Sequence, residues 1–414
     1  MVFFVVSALE RASYDNYHVV KVKIENELQH QVLRLIEENP DGYRFLSALP
    51  PHPGSSVQLV VPPHKLGHFS ELVENFNMES STTTKNYQKD IDKEMLSSGR
   101  RKAGDMNWEK YSTLDEIYEW LDELVAAYPT VVTTFSVGTS YEGRPIRGIK
   151  VSTGGTDKKA IFFESTIHSS EWIGTTTSTF FLNEILTSTD PALITLVRRF
   201  DWYFVPVVNV DGYEYTWSTD RMWRKTRRPT RNILCKGTDP NRNFDITFGQ
   251  YSTTQNPCDV FYPGEAAFSE PETRQLADFV LAIPQLVGYF SLHSFGQFIM
   301  LPYAHKLEHF DHYEDLLELA QNGAASINEV SGRTYQVGPT FDFFGLVSGV
   351  SFDYIFEHAK PNITLCYELR PARDEDDFKT NSFYVPADQI IETGQEVMAS
   401  IVTILNGAIE KGLA

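Results

Sequence analysis

The amino-acid sequence predicts an α/β protein in which a mixed, mainly parallel sheet lies between helical layers, preceded by a small α+β module. Two observations support this fold class. Helical and strand patterns alternate from residue 114 towards the C-terminus, as expected of parallel strands joined by crossover helices. Residues 14–75 instead follow the order strand, helix, strand, strand, helix, which is typical of a separate two-layer unit.

The N-terminal module is defined by its patterned segments. Residues 17–24 alternate in polarity, and residues 27–38 carry an apolar stripe with helical spacing. Residues 57–61 are β-branched, as expected of a strand, and residues 66–76 are helical again. A last strand is expected near residues 80–87, although this segment is only weakly apolar. With that strand, the order of elements is ferredoxin-like.

A change in composition separates this module from the rest of the chain. Residues 89–101 are charged, and their pattern predicts a helix. The segment ends in the dibasic pair Arg100–Arg101 beside glycines, an exposed stretch of the kind at which proteases cleave. An ordinary solvated linker is an equally weighted alternative. Residues 2–6 are apolar and indicate a possible signal-peptide remnant, but the run is short for that purpose.

The second domain alternates helices and strands through most of its length. Helices are predicted at residues 114–128, 174–186, 275–283, 313–331 and 386–405, and strands at residues 146–151, 160–164, 200–210, 285–292 and 362–367. In sheets of this class, ligands bind outside the carboxyl ends of the strands. Polar residues that directly follow an apolar strand are therefore the candidates for a functional site.

Composition limits the classes of protein to consider. The 414 residues are 42% hydrophobic, enough for a large core, and 36 Lys and Arg against 55 Asp and Glu give a net charge of −19. This acidic balance argues against a nucleic-acid or anionic-membrane partner, and no apolar run has membrane-spanning length.

The three cysteines allow two interpretations. Cys235 and Cys258 flank one polar loop and could form a disulfide, with Cys366 alone in an apolar strand. Three reduced, buried thiols are equally consistent with the spacing.

Three potential metal ligands follow predicted strands. His168 and Glu171 come after the strand at residues 160–164, and His293 follows the strand at residues 285–292. Two histidines and one carboxylate suit a catalytic zinc, which leaves a position open for water, whereas a structural zinc uses four ligands and several cysteines. An isolated His-x-x-Glu is more often a polar turn, so the zinc interpretation depends on the residues that accompany it.

A carboxylate and several arginines accompany these ligands. A zinc hydrolase needs a base for the water and a positive group for the oxyanion. Glu368 follows the predicted strand at residues 362–367, where its carboxylate can face the site. Arginines occur in DRMWRKTR at residues 220–227 and in GTDPNRNF at residues 237–244. Taken alone, the first segment is more simply a solvated basic face and the second an Asx-rich turn.

Together these motifs resemble the digestive, pancreatic-type procarboxypeptidases A and B, which are zinc metallocarboxypeptidases. The resemblance covers nearly the whole chain and rests on segments in the family's order: TIHSSEW, DRMWRKTR, GTDPNRNF, SLHSFGQFIMLPYA, SFDY and CYELR. It implies a carboxypeptidase-like catalytic domain at residues 103–414, an inhibitory prodomain at residues 14–88, and an activation helix or linker at residues 89–102. A trypsin-like protease would cleave at Arg100–Arg101, and residues 1–13 would be the signal-peptide remnant.

The resemblance also implies roles for the residues of the site. His168, Glu171 and His293 match the ligands of one zinc ion per chain. Glu368 matches the base that takes a proton from the zinc-bound water and passes it to the leaving amine. Arg224 matches the arginine that polarises the scissile carbonyl and holds the oxyanion.

Substrate recognition is implied in the same way. Asn241 and Arg242 match the pair that binds the free C-terminal carboxylate of the substrate, which makes these enzymes exopeptidases. Arg221, in the preceding motif, is a further substrate-binding candidate. Cys235 and Cys258 match the family's disulfide.

The residues of the specificity pocket are uncharged in this sequence. Phe352, directly before the family's shared aspartate Asp353, occupies the pocket floor, where relatives that prefer basic residues carry an acid. A phenylalanine cannot balance the charge of a buried lysine or arginine, so the predicted preference is for apolar, aliphatic or aromatic C-terminal residues. Other wall positions are matched by Ser291, Met300, Ala304 and Cys366.

The sequence departs from the family at three positions. The tyrosine of a mobile loop that closes over the substrate is missing, because its place falls at Gly345 or, with a shift of one residue, at Phe344. Ser170 stands where relatives often have an arginine of the outer subsites, and Phe295 stands where they have a tyrosine. We expect these changes to weaken substrate binding rather than to abolish the chemistry.

The leading hypothesis is therefore a secreted, monomeric zymogen that acts in a digestive lumen. Its substrates would be the C-termini of peptides and proteins, its inhibitor its own prodomain and its activator a trypsin-like protease. The alternatives are a carboxypeptidase with a basic or other C-terminal preference and a catalytically weak homologue that binds peptide C-termini. A deacylase or esterase on the same fold is disfavoured by Asn241–Arg242 and by the complete prodomain.

Overall fold

Two β-sheets organise the chain in a computed structural model that describes residues 11–46, 49–96, 106–372 and 383–414. The smaller sheet belongs to the N-terminal module and the larger one to the domain that follows it. The predicted dibasic pair Arg100–Arg101 and most of the predicted signal-peptide remnant lie outside the described residues.

The N-terminal module is a four-stranded antiparallel sheet with the strand order β2-β3-β1-β4. Its elements are β1 (His18–Lys23), α1 (Glu27–Glu38), β2 (Arg44–Phe45), β3 (Ser56–Val61), α2 (Leu66–Asn75), β4 (Ser80–Thr84) and α3 (Tyr87–Leu96). The weakly apolar last strand of the prediction is confirmed as the edge strand β4, whose polar side chains are mostly exposed to solvent. The predicted ferredoxin-like order of elements is confirmed.

Alternate side chains of this small sheet pack against different partners. In β1, Val20 contributes to the module's own core beneath its helices. Val19 and, in β3, Val60 point to the other face, where they pack with Met222 and Phe295 of the second domain. Because side chains alternate between the two faces of a sheet, one face holds the module together and the other holds it on the second domain.

The second domain contains an eight-stranded mixed sheet with the order β11-β10-β12-β9-β7-β8-β6-β5. The central strands β12, β9, β7 and β8 are parallel, as predicted. The elements are α4 (Leu114–Ala127), β5 (Val132–Thr139), β6 (Pro145–Val151), β7 (Ala160–Ser165), α5 (Trp172–Thr187), α6 (Pro191–Arg199), β8 (Asp201–Val205), α7 (Val210–Ser218), α8 (Pro271–Leu281), β9 (Leu286–Gly296), β10 (Phe298–Leu301), α9 (Tyr313–Ser331), β11 (Gln336–Pro339), α10 (Thr340–Phe344), α11 (Ser351–Ala359), β12 (Ile363–Ala372) and α12 (Ile390–Glu410).

Helices cover both faces of the large sheet. Two consecutive residues of β7 demonstrate this arrangement, because consecutive side chains of a strand point to opposite faces. The ring of Phe162 contacts Phe279 in α8, whereas the ring of Phe163 contacts Phe181 in α5. The predicted mixed sheet between helical layers is confirmed, and every residue of its central strand β7 is buried.

Several boundaries differ from the prediction for local reasons. The strand predicted at residues 200–210 ends at Val205, because Pro206 follows and α7 begins at Val210. The helix predicted from residue 275 begins at Pro271, since proline is well suited to the first turn of a helix, where no backbone N–H is needed. No helix within the described residues is both long and apolar enough to cross a membrane.

A tight backbone contact fixes the turn that leads into α11. Gly349 has a φ of +69°, and a Cβ atom added to it would lie 2.1 Å from the carbonyl oxygen of Arg242. That carbonyl belongs to the 3-10 helix Pro240–Arg242. The turn therefore requires glycine both for its conformation and for the close approach of two backbone segments.

We predict that Gly349→Ala destabilises the protein more than Gly332→Ala, which serves as the control. Gly332 has a similar φ of +73°, but nothing lies within 4 Å of the added Cβ atom. A left-handed alanine costs roughly 1–2 kcal/mol at either position, and displacement of the Arg242 backbone adds about 1–3 kcal/mol at Gly349 alone. Urea denaturation of both variants measures the difference, and equal losses of stability would contradict the prediction.

Candidate active site

The three predicted metal ligands meet at the carboxyl edge of the large sheet. His168 lies in the loop after β7, and Glu171 directly precedes α5. His293 lies in β9, the strand that pairs in parallel with β7. All three side chains are buried, and their ligand atoms lie within 4.8 Å of one another. Within the described residues, this is the one such group of histidine, cysteine and acidic side chains.

The donor atoms of this triad converge as metal ligands do. Glu171 Oε1 lies 2.8 Å from His168 Nδ1, Glu171 Oε2 lies 3.0 Å from His293 Nδ1, and the two Nδ1 atoms are 3.1 Å apart. Burial by itself would raise the pKa of Glu171, but the two histidines outweigh it and lower this pKa to about 2. An ionised carboxylate and two imidazoles match the donors that zinc prefers at catalytic sites.

Asp239 orients the site, although the sequence analysis did not single it out. Its Oδ1 lies 3.1 Å from His168 Nε2, so the opposite ring nitrogen, Nδ1, faces the other ligands. The same oxygen accepts a hydrogen bond from the backbone N–H of Asn241, and Oδ2 accepts from Nε and Nη2 of Arg224. The sequence signal for this role was an aspartate directly before Pro240, the usual arrangement of a helix N-cap.

Arg224 is placed beside the metal ligands by its bond to Asp239. With two nitrogens held by that carboxylate, its remaining nitrogen Nη1 lies 3.6 Å from Glu171 Oε1. Burial opposes ionisation of Asp239, but Arg224 and His168 keep its pKa well below the usual range. The arrangement fixes a guanidinium group next to the metal site.

Asn241 and Arg242 lie together in the 3-10 helix that Asp239 caps. Asn241 Nδ2 lies 3.4 Å from His293 Nε2, and the Arg242 guanidinium donates to the backbone carbonyls of Ser252 and Asn241. In the described part of the chain, Arg242 forms no ion pair with a carboxylate. Burial lowers the pKa of Arg242 to about 10, with Asp239 opposing, so the group stays charged at neutral pH.

Glu368 is brought to the site by strand pairing. In the parallel ladder between β12 and β9, Glu368 is directly opposite His293. The antiparallel strand β10 pairs on its other side, with Phe298 opposite Glu368. The carboxylate faces the cleft that also contains the metal ligands.

The cleft continues into an apolar pocket beyond the metal ligands. Of the predicted pocket residues, Phe295, Met300, Phe344, Phe352 and Cys366 line it. Further lining residues that were not predicted include Thr340, the first residue of α10, and Val347 and Val350 in the loop between α10 and α11, where no periodic pattern indicates orientation.

Ser291 and Ala304, which were predicted as wall residues, and Asp353, which directly follows Phe352, are not among the residues that line the cleft. Ser291 donates a hydrogen bond to buried Glu164. Asp353 accepts from the backbone N–H groups of Ala304 and His305 and lies 2.6 Å from His305 Nδ1. Its carboxylate therefore holds the segment after β10 in place and faces away from the pocket.

The N-terminal module covers the cleft. Arg44, Phe45 and Leu46 contribute directly to its lining. Arg44 also donates to the backbone carbonyl of Met222 and, at 2.9 Å, to the hydroxyl of Tyr14. This segment therefore occupies part of the cleft that a substrate would enter.

The module also forms an ion pair with Arg221, which the sequence indicates as a substrate-binding candidate. Two nitrogens of Arg221 donate to the carboxylate of Glu94 in α3, and a third donates to the carbonyl of Ser170 at 2.8 Å. The guanidinium stacks on Trp172, 3.8 Å from the ring centroid. Both charged groups are buried, so this ion pair is shielded from solvent.

The position of the missing tyrosine also faces the module. Gly345 carries no side chain, and a Cβ atom added to it would lie 3.4 Å from the Cβ of Pro51. Phe344 lines the pocket and offers no hydroxyl. Cys235 and Cys258 form a disulfide, while Cys366 is a free, buried thiol.

Comparison with known proteins assigns both parts of the chain. Residues 117–400 match the sequence family described as zinc carboxypeptidase, and residues 20–94 match the carboxypeptidase activation peptide. Zinc carboxypeptidase A 1 of Anopheles gambiae is 36% identical over 409 residues, which cover 98% of this chain and 93% of that protein. Carboxypeptidase A2 of Rattus norvegicus is 33% identical over 394 residues, 91% of this chain and 93% of that protein.

A solved structure extends the similarity to the fold. The carboxypeptidase A from Helicoverpa armigera superimposes with a TM-score of 0.86 at 26% identity, covering 96% of this chain and 98% of that one. The matches therefore span both the activation module and the catalytic domain, and the buried His-Glu-His triad is the group positioned for the metal. The chain belongs to the zinc carboxypeptidase family, as a zymogen whose activation peptide precedes its catalytic domain.

Proposed function

We propose that this zymogen, once activated, releases apolar residues one at a time from the C-termini of peptides. The observation that carries this proposal is Arg242, a buried guanidinium that forms no ion pair with a carboxylate in the described structure and lies in the same cleft as the zinc triad. A buried charge without a partner is costly, so a ligand that supplies a carboxylate binds there favourably. The free C-terminus of a peptide is such a ligand, whereas an internal peptide bond is not.

The proposed reaction assigns one task to each polar group of the cleft. Zinc held by His168, Glu171 and His293 would supply Lewis-acid chemistry and make a water molecule nucleophilic near neutral pH. Glu368 accepts a proton from the attacking water and delivers it to the leaving amine. Arg224, held by Asp239, stabilises the negative charge that develops on the carbonyl oxygen.

Specificity is assigned to the apolar pocket. Phe352 and Met300 line its depth, and Cys366 adds a neutral thiol whose pKa is raised well above its usual value by burial. No acidic side chain of the described structure lines this end of the cleft; Glu171 and Glu368 are at the zinc end. A basic C-terminal side chain would enter without a counter-charge, and a bulky tryptophan would meet Phe352.

We further propose the domain boundaries and the route of activation. Residues 14–88 form the inhibitory prodomain, residues 89–102 the activation segment with cleavage at Arg100–Arg101, and residues 103–414 the catalytic domain. Secretion is supported by the Cys235–Cys258 disulfide, since such bonds persist in oxidising compartments. A digestive lumen with a trypsin-like activating protease suits the dibasic cleavage site, and the enzyme acts as a monomer.

We predict that Glu368→Gln in the activated enzyme lowers kcat by about 100-fold or more, because an amide cannot accept the proton. The KM and the zinc content should stay near those of the unmodified enzyme. Glu329→Gln, an exposed position in α9, is the control and should change neither. Steady-state kinetics with metal analysis tests this. Unchanged turnover in Glu368→Gln would refute its role as the base, whereas no turnover in the unmodified activated protein would favour the peptide-binding alternative.

We predict that activated enzyme shortens peptides ending in Leu, Val or Phe at least about 100-fold faster than matched peptides ending in Lys or Arg. The physical reason is the desolvation of a cation in a pocket that offers no counter-charge. Mass spectrometry of a panel that differs in the last residue measures the preference, and a zinc chelator should stop all cleavage. Rapid release of Lys or Arg would refute the apolar specificity.

We predict that Glu94→Gln raises the residual activity of the uncleaved chain about tenfold or more. A neutral amide leaves buried Arg221 without its charge partner and weakens the hold of the activation peptide by about 1.5–3 kcal/mol. Asp92→Asn, an exposed change in the same helix, is the matched control. Hydrolysis of a small substrate by the intact chain reports the effect, and equal activity of both variants would exclude Glu94 as an anchor.

A further inference from the structure

Glu164 is a fully buried carboxylate to which the proposed reaction gives no task. It lies in β7, four residues before the metal ligand His168, and its side chain is 0% exposed. Its Oε2 accepts no hydrogen bond of good geometry in the described structure, although the hydroxyl of Tyr289 interacts with the same carboxylate. A buried carboxylate with an unsatisfied oxygen is unfavourable for stability, and this cost points to a role in function.

The other oxygen of Glu164 joins three elements of the catalytic domain. Oε1 accepts a hydrogen bond of 2.8 Å from the hydroxyl of Ser291 in β9 and another from the hydroxyl of Ser351, the first residue of α11. Both donors are neutral, and both are fully buried. One oxygen atom thus holds the N-terminus of α11 against the two strands that carry the metal ligands.

The N-terminus of α11 in turn holds the residues that recognise the substrate. The backbone N–H of Ser351 donates to Asn241 Oδ1 at 2.8 Å, and Phe352 is the next residue in the helix. Asn241 lies 3.4 Å from the metal ligand His293 and is adjacent to Arg242. A continuous set of contacts therefore runs from Glu164 to both the carboxylate-binding pair and the pocket floor.

We propose that Glu164 is a positioning residue for substrate recognition. By fixing Ser351, it sets the distance between the zinc ligands, the carboxylate-binding Asn241 and the pocket floor at Phe352. The role requires an acceptor oxygen at this position, not a negative charge, because both donors are hydroxyl groups. The inference rests on the proposed function, since it assumes that Asn241 and Phe352 contact the substrate.

The test compares two variants of the activated enzyme. Glu164→Leu removes the acceptor oxygens and fills their place with an apolar side chain of similar size. Glu164→Gln keeps one acceptor oxygen. Glu164→Leu should raise the KM for a peptide ending in Phe tenfold or more, with kcat within about twofold, as expected for lost substrate binding. Glu164→Gln should stay within about threefold of the unmodified enzyme. Calorimetric titration with 3-phenylpropanoate, a carboxylate with an aromatic side chain, should show the same order of affinities.

A second buried carboxylate provides a matched control. Glu272 in α8 is also 0% exposed and also has an unpartnered Oε2, but its Oε1 accepts from the backbone of Tyr141, and Glu272 does not line the cleft. Glu272→Leu should leave both KM and the affinity for 3-phenylpropanoate within about twofold. If Glu272→Leu raises the KM and weakens the binding of 3-phenylpropanoate as much as Glu164→Leu does, the effect is general destabilisation and the proposal fails.

The remaining outcomes are also decisive. If Glu164→Leu does not fold, Ser351→Ala removes only the linking hydroxyl and should raise KM threefold or more. Unchanged KM and affinity in whichever of these variants folds, or a fall in kcat alone, would overturn the role of Glu164. If the unmodified activated enzyme shortens no peptide, the proposed function itself fails, and this outcome is distinct because it precedes any variant.

Discussion

Parallel pairing of β7, β9 and β12 is the constraint on which the rest of the structure depends. Parallel strands end at the same edge of a sheet, so residues that are far apart in the chain meet there. His168 follows β7, His293 lies in β9, and Glu368 in β12 is directly opposite His293 in the ladder. A shift of one residue in the register would turn Glu368 to the other face of the sheet, away from the metal ligands.

Electrostatic balance organises the groups around that edge. Asp239 is shared between His168 and Arg224, so one carboxylate orients both a metal ligand and the guanidinium beside it. Among the described residues, the second buried guanidinium, Arg242, forms no ion pair with a carboxylate and donates only to backbone carbonyls. With Asp239 engaged by Arg224 and His168, Arg242 is the cation of the cleft that can bind a carboxylate from outside, which suits the recognition of a peptide C-terminus.

The activation module uses the same groups that the substrate would need. Its small sheet packs on Phe295 and Met222, its strand β2 enters the cleft, and Glu94 pairs with Arg221. Inhibition therefore requires no distortion of the zinc ligands, whose geometry is complete beneath the module. Removal of the module would expose both the apolar side chains on which its sheet packs and the buried Arg221. The change from zymogen to enzyme would then open the cleft to substrate without rebuilding the site.

The sequence by itself determined the fold class and the central strands of the large sheet, because these depend on local periodicity, and its short motifs supplied the candidate site residues. The strands β5, β10 and β11 at the two sides of that sheet were not predicted. The sequence could not determine the orientation of side chains beyond the strands. Only the tertiary structure shows that the carboxylate of Asp353 lies beside the ring of His305, and Val347 and Val350 line the cleft without any pattern to indicate it. Asp239 and Glu164 gained their contacts only when loops and helices distant in sequence packed against them, and burial of that kind is a property of the assembled core.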